Sequence, residues 1–140
     1  MSLLAREAQR SPDFVLPVAK LFRAQRPSSI QEMDDTLRPL FIYRDEYEEV
    51  VRTPAFMLND LVMLGHMEGD CDCISTLIAA VALFSGWRAR FVAIRYDADA
   101  KGFQHVFVEI NAGDGWRTVD LTTPIGTPIQ ALEVMEQYVS

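Results

Sequence analysis

Apolar positions change their spacing partway along the chain. Up to about residue 84 they recur at helical intervals, and beyond it they alternate. Ser11-Pro12-Asp13 precedes Phe14, Val15, Val18, Leu21 and Phe22, an amphipathic helix in which Pro12 suits the first turn. Pro17 forces that helix to start late or to kink. Arg26-Pro27-Ser28-Ser29 is a break, after which Ser28 or Ser29 caps a second helix with Gln31 or Glu32 in capping-box position; Arg38-Pro39 ends it. Residues 41–51 carry Asp45, Glu46, Glu48 and Glu49 and read as a solvated helix face or loop. Thr53 as cap and Pro54 as first helical residue open a helix over Ala55–Leu64.

From Gly69 the pattern sharpens. Asp70 or Asp72 caps a helix that runs to about Phe84, with Gly86 where a left-handed C-terminal residue belongs. Ile74 and Leu77–Phe84 leave it almost no polar face, so it belongs at the centre of the domain. Three runs follow that alternate with period two: Ala89–Tyr96, Gln104–Asn111 and Trp116–Leu121, separated by turns at 97–102 and 111–115. A last amphipathic helix is expected over about Ile129–Tyr138. The fold class is therefore α+β: N-terminal helices, then a buried helix packed on an antiparallel sheet of at least three strands. Residues 1–50 form a helical N-terminal arm and residues 51–140 the core.

Composition adds bounds. A chain of 140 residues, 49% hydrophobic and 24% charged, suits one globular domain that needs no disulfide or metal staple. The net charge of −7 hides an asymmetry: residues 1–30 carry five basic groups against two acidic, and residues 31–70 three against ten. An acidic core argues against a nucleic-acid partner, which needs a basic face. The apolar run at 74–84 is too short to span a bilayer, and residues 1–10 lack the continuous apolar stretch of a secretory signal. Cys71 and Cys73 are too close for an unstrained bridge, so reduced thiols and a cytoplasmic location are expected.

A cysteine at a helix start is chemically loaded, because the unpaired N–H groups and the helix dipole favour its thiolate. Cys71 sits at that start, and Cys73 lies half a turn further in, facing elsewhere. If residues 111–114 form a four-residue hairpin loop, 110 pairs with 115, 107 with 118 and 105 with 120. His105 and Asp120 then stand opposite each other on one face, and a one-residue slip would separate them. An aspartate on one ring nitrogen fixes the tautomer and leaves the other nitrogen for a thiol. Together Cys71, His105 and Asp120 supply the nucleophile, the base and the orienting group of a cysteine hydrolase or acyl transferase.

The blocks Gly69-Asp70-Cys71-Asp72-Cys73, Leu77-Ile78-Ala79-Ala80, Gly86-Trp87-Arg88-Ala89-Arg90, His105-Val106-Phe107-Val108-Glu109, Gly115-Trp116 and Asp120-Leu121-Thr122 resemble, in order, the core of the transglutaminase-like superfamily. Val51-Arg52-Thr53-Pro54 and Gly69-Asp70-Cys71-Asp72 are also similar to small phage- or prophage-encoded members. The resemblance implies a papain-like core and assigns the nucleophile to Cys71, the base to His105 and the orienting carboxylate to Asp120. Cys73 departs from the pattern, standing where many members have aspartate. The resemblance further implies catalysis without cofactor or metal, on the amide bonds of a protein or peptide substrate. A phage structural partner and a virion-associated location follow if the chain is phage-encoded. Arg90 matches the family's strand arginine and is expected in a salt bridge. Asn59 and His66 are upstream candidates for the second oxyanion donor. Two rivals stand beside this reading. One is a non-enzymatic assembly module on the same fold. The other is a zinc site using Cys71, Cys73, Asp70, His66 and His105, whose spacing matches no paired zinc motif.

Overall fold

The computed structural model describes residues 1–44, 52–99, 101–123, 131 and 133–139. Three short helices open the chain: α1 (Ser2–Ala8), α2 (Pro12–Leu21) and α3 (Ile30–Leu37). α2 starts at Pro12 despite the proline inside it, so Pro17 does not delay the helix. Ser29 caps α3, its hydroxyl accepting from the Glu32 N–H at 3.0 Å. A 3₁₀ turn at Arg38–Leu40 leads into β1 (Phe41–Tyr43), where a helix face or loop was expected. The acidic stretch at 45–51 lies outside the described residues. α4 (Pro54–Leu64) is capped by Thr53, and Gly65 ends it at φ +82°, a left-handed conformation that favours glycine.

β2 (Met67–Gly69) pairs in parallel with β1 and delivers the chain into α5 (Cys71–Phe84). The cap of α5 is Asp70, whose carboxylate accepts from the Cys73 N–H at 3.1 Å. Ten consecutive residues of α5, Cys73–Ala82, are buried, as the absence of a polar face requires. Its two buried hydroxyls are satisfied: Ser75 donates to the Val106 carbonyl and Thr76 to that of Asp72. At the far end Gly86 adopts φ +81°, Gly86 N–H bonds the Leu83 carbonyl and Trp87 N–H reaches back to Ala82. This left-handed stop turns the chain directly into the sheet.

The sheet holds β3 (Arg88–Arg95), β4 (His105–Asn111), β5 (Trp116–Val119) and β6 (Glu133–Val139) in the order β5-β4-β3-β6, all antiparallel. The architecture is α+β. Val106, Val108 and Ile110 of β4 join Ala89, Phe91, Val119 and Val139 in one core with α5. Phe14, Val18, Phe22, Met33 and Leu37 from the N-terminal helices belong to that same core. Phe14 meets Phe84 of α5 edge-to-face at 6.1 Å. The alternate positions Val92, Ile94 and Phe107 make a second, smaller cluster on the opposite sheet face.

The C-terminal helix expected over 129–138 is not what forms. Residues 133–139 are a strand pairing with β3 from Ala89↔Val139 to Arg95↔Glu133, while 129, 130 and 132 lie outside the described residues. The segment is rich in helix formers, but β3 offers it a whole ladder of unpaired backbone groups. Tertiary pairing overrides local propensity here. Among the described residues no helix is long and apolar enough to cross a membrane.

Candidate active site

The site begins with a close approach. A Cβ on Gly69 would lie 2.9 Å from Cys73 Cβ, nearer than real Cβ contacts come. Only glycine lets β2 run this tightly against the first turn of α5, and that turn carries both sulfurs. Cys73 points inward and is fully buried, its Sγ accepting from the Arg52 N–H at 3.3 Å. Burial pushes its thiol up to about 11, so it stays protonated near neutrality. Cys71, the first helical residue, is only half-buried and lines a cleft of about 460 Å³. Tyr43, Phe91, Phe103, His105 and Met135 form much of the remaining wall. The cleft therefore lies between the start of α5 and the sheet face that α5 covers.

His105 opens β4 at the edge of this cleft. Its Nε2 meets Asp120 Oδ2 at 2.7 Å, which leaves the other ring nitrogen, Nδ1, for the thiol of Cys71, a neighbour in the wall of the same cleft. The bond to Asp120 and then the nearby Cys71 raise the imidazole to about 9, against the opposing cost of burial. Burial also works against the Asp120 carboxylate. It is outweighed by His105 and by Thr122, whose N–H and hydroxyl donate to Oδ1 at 3.0 and 2.6 Å, and the carboxyl is held below its ordinary range. His105 and Asp120 are thus brought together, and Cys71 with them.

The register that unites them differs from the one expected. β4 and β5 pair Asn111↔Trp116, Ile110↔Arg117 and Val108↔Val119, so the loop is 112–115. Asn111 Oδ1 accepts from the Gly113 N–H at 2.8 Å, and Gly113 and Gly115 take φ +114° and +105°, which fixes the turn one residue later. The pairing is displaced by two positions, an even number, so every residue keeps its face. Asp120 lies just past the end of β5 and reaches His105 diagonally rather than from directly opposite.

Other expected residues fall elsewhere. Asn59 lies on exposed α4 surface in a groove with Asp13 and Thr53, and His66 is bonded to Glu68 at 2.9 Å. Neither is among the residues lining the Cys71 cleft. Arg90 makes its salt bridge with Glu109 at 2.8 Å, a second with Glu136 at 3.3 Å, and stacks 4.2 Å from the Trp116 ring centre. Thr118 stands opposite Glu109. This cluster is on the sheet face away from α5. Among the described residues no group of three or more His, Cys, Asp or Glu is placed to hold a metal ion.

Two contributors escaped the sequence reading of the site. Thr122 was visible within Asp120-Leu121-Thr122 but carried no role; an acceptor two residues before a threonine is the pattern of a local carboxylate turn. Arg38 hydrogen-bonds the main-chain carbonyls of Asp120 and Thr123 from 82 and 85 residues away, and nothing local marks such a contact. No protein-family model matches the chain, and no curated protein is significantly similar to it.

Proposed function

We propose that this chain is a cysteine-dependent peptidase or amidase with a transglutaminase-like, papain-like core, in which Cys71 is the nucleophile, His105 the base and acid, and Asp120 the orienting carboxylate. One observation carries the proposal: His105 binds the Asp120 carboxylate through Nε2 and shares the wall of an accessible cleft with Cys71, which acts on its imidazole. A part-buried histidine–aspartate pair alone would be as consistent with structure as with catalysis. A half-exposed thiol at a helix N-terminus in the wall of the same cleft favours catalysis.

His105 takes the Cys71 proton, and the thiolate attacks the carbonyl carbon of a bound amide. The oxyanion that forms accepts from the Cys71 backbone N–H at the first turn of α5, where the helix dipole adds favourable potential. The imidazolium, stabilised by Asp120, hands its proton to the leaving amine as the C–N bond breaks. Water then enters, gives a proton to His105 and opens the thioester, releasing the acid and restoring the thiol. Hydrolysis is favoured over transfer to an amine because Cys71 is partly exposed, so water reaches the thioester.

The test is turnover of short peptide amides and thioesters by the purified chain, with Cys71→Ala and His105→Ala as controls. Activity at a rate that Cys71→Ala abolishes while circular dichroism stays native is expected. If the wild-type chain neither turns over such substrates nor forms an acyl adduct on Cys71, the enzyme reading is wrong and a purely structural, phage-type assembly role takes its place.

A further inference from the structure

The N-terminal helices reach the reaction centre through one side chain. Arg38 follows α3, and its guanidinium grips both carboxylate oxygens of Asp34, one turn earlier, through Nε at 2.8 Å and Nη2 at 3.0 Å. Nη2 also donates to the Asp120 carbonyl at 3.1 Å, and Nη1 donates to the Thr123 carbonyl. Both partners of the ion pair are largely buried, with the side chains 24% and 13% exposed.

Among the described residues, what this clamp holds has few other ties. The β4–β5 ladder ends at Val119, so Asp120 lies outside it. Thr122 secures the Asp120 carboxylate, but it belongs to the same segment and moves with it. Leu121 packs into the core. Among the described residues, the hydrogen bonds that tie the backbone of 120–123 to the rest of the fold come from Arg38. A 2.7 Å contact to an imidazole tolerates little displacement.

We propose that Arg38, anchored by Asp34, is a positioning residue that fixes the backbone of residues 120–123 so that Asp120 meets His105 in register with Cys71. The role presupposes that these three residues form the reaction centre. Arginine is required because its planar fork satisfies a carboxylate and two carbonyls at once, which a lysine ammonium cannot do in this geometry. The N-terminal helices are then a working part of the centre rather than a separable arm.

The charge and the clamp can be told apart by sign. Asp34, Asp35 and Asp120 are the carboxylates acting on Arg38, and Asp120 and Cys71 are the groups acting on His105. Deleting only a positive charge would leave Asp120 less compensated and push His105 titration upward. Loosening Asp120 moves it downward, toward the free value near 6.5. The experiment is NMR titration of ¹⁵N-labelled histidine in the full chain, with the second histidine, His66, assigned by His66→Gln. It is run on wild type, Arg38→Met, Arg38→Lys and Asp34→Asn, beside kcat and KM for the amide substrate. In Arg38→Met the His105 midpoint falls by about one pH unit or more, a tenfold loss of proton affinity. In the same variant kcat falls by at least ~10-fold with KM little changed; Arg38→Lys recovers only part of either effect. A folded Arg38→Met whose His105 midpoint is unchanged or raised overturns the proposal. If Arg38→Met does not fold, Arg38→Lys, which keeps the positive charge but lacks the planar fork, carries the test: a His105 midpoint and kcat equal to wild type overturn the proposal. Asp34→Asn, whose lost negative charge itself lowers the His105 midpoint, is read through kcat, which falls if the anchor positions Asp120 and stays at wild type if it does not. A wild type without turnover whose His105 midpoint still falls in Arg38→Met would support the clamp and remove the amidase reading.

Discussion

Replacing Asp120 with asparagine should take from His105 the charge that keeps it protonated, while sparing the shape around it. An asparagine oxygen can still accept from Thr122, and Arg38 binds the main-chain carbonyl, which the substitution leaves in place. In the native chain His105 rises from 6.5 to about 9, through Asp120 first and Cys71 second. A base whose folded pKa is raised binds its proton more tightly when folded. Its contribution to stability is therefore fully present below 6.5, declines at roughly 1.4 kcal/mol per pH unit between 6.5 and 9, and is lost above that. The whole span amounts to about 3 kcal/mol, of which Asp120, as the larger cause, should account for about 2. The side chains are only 19% and 12% exposed, so solvent screening takes little of this away. Asp120, held low, bounds the other side: the same interaction is present above its ordinary value of 3.8 and is lost as pH falls below it. Urea unfolding of wild type and Asp120→Asn near pH 5.5, 8 and 10 reads this directly. The stability difference should be largest at the first, about two-thirds as large at the second, and reduced at the third to the pH-independent cost of the substitution. A difference that stays constant from pH 5.5 to 10 would refute the claim that Asp120 holds His105 as an imidazolium.

Gly69→Ala should cost about 1–3 kcal/mol in urea unfolding, because the added methyl meets Cys73 Cβ, an atom that no rotamer change can move away. Turnover should suffer with it, since the displaced turn carries Cys71; a variant neutral in both assays would mean that β2 and α5 are not in tight contact. Iodoacetamide should label Cys71 in the folded chain and leave Cys73 untouched until denaturant is added, as read by peptide mass spectrometry. Cys73→Ser should retain turnover, and its loss would assign the chemistry to the wrong sulfur.

The sequence made the helical half and the start of α5 legible because their signals are local. Asp70, Thr53 and Ser29 cap the helices they precede, and α5 is buried to the extent its composition demands. The His105–Asp120 pair was legible for a subtler reason. Alternation preserves the face under any even displacement, so a register wrong by two still placed both residues together. The failures share one cause, that the deciding partner is distant in sequence. β6 is a strand because β3 lies beside it, although its own residues favour a helix. Arg38 touches the Asp120 segment from across the chain, and the upstream donors Asn59 and His66 were placed by proximity in sequence to a site that the fold turns away from them.

The two cysteines show how one helix turn can serve opposite demands. Residues two apart on an α-helix point about 200° apart, so a first turn that presents Cys71 to the cleft necessarily drives Cys73 into the core. There the second sulfur is unreactive, but it is not idle. Its Cβ fills the space that Gly69 leaves open, and its Sγ accepts the Arg52 N–H, so β2, the approach to α4 and the start of α5 all meet at this side chain. Asp70 adds the cap by binding the Cys73 backbone N–H. A nucleophile needs its own backbone fixed while its side chain stays accessible, and it cannot provide both from one position. If Cys71 is the nucleophile, as proposed, the fixing is done two residues away, by a thiol too buried to compete with it.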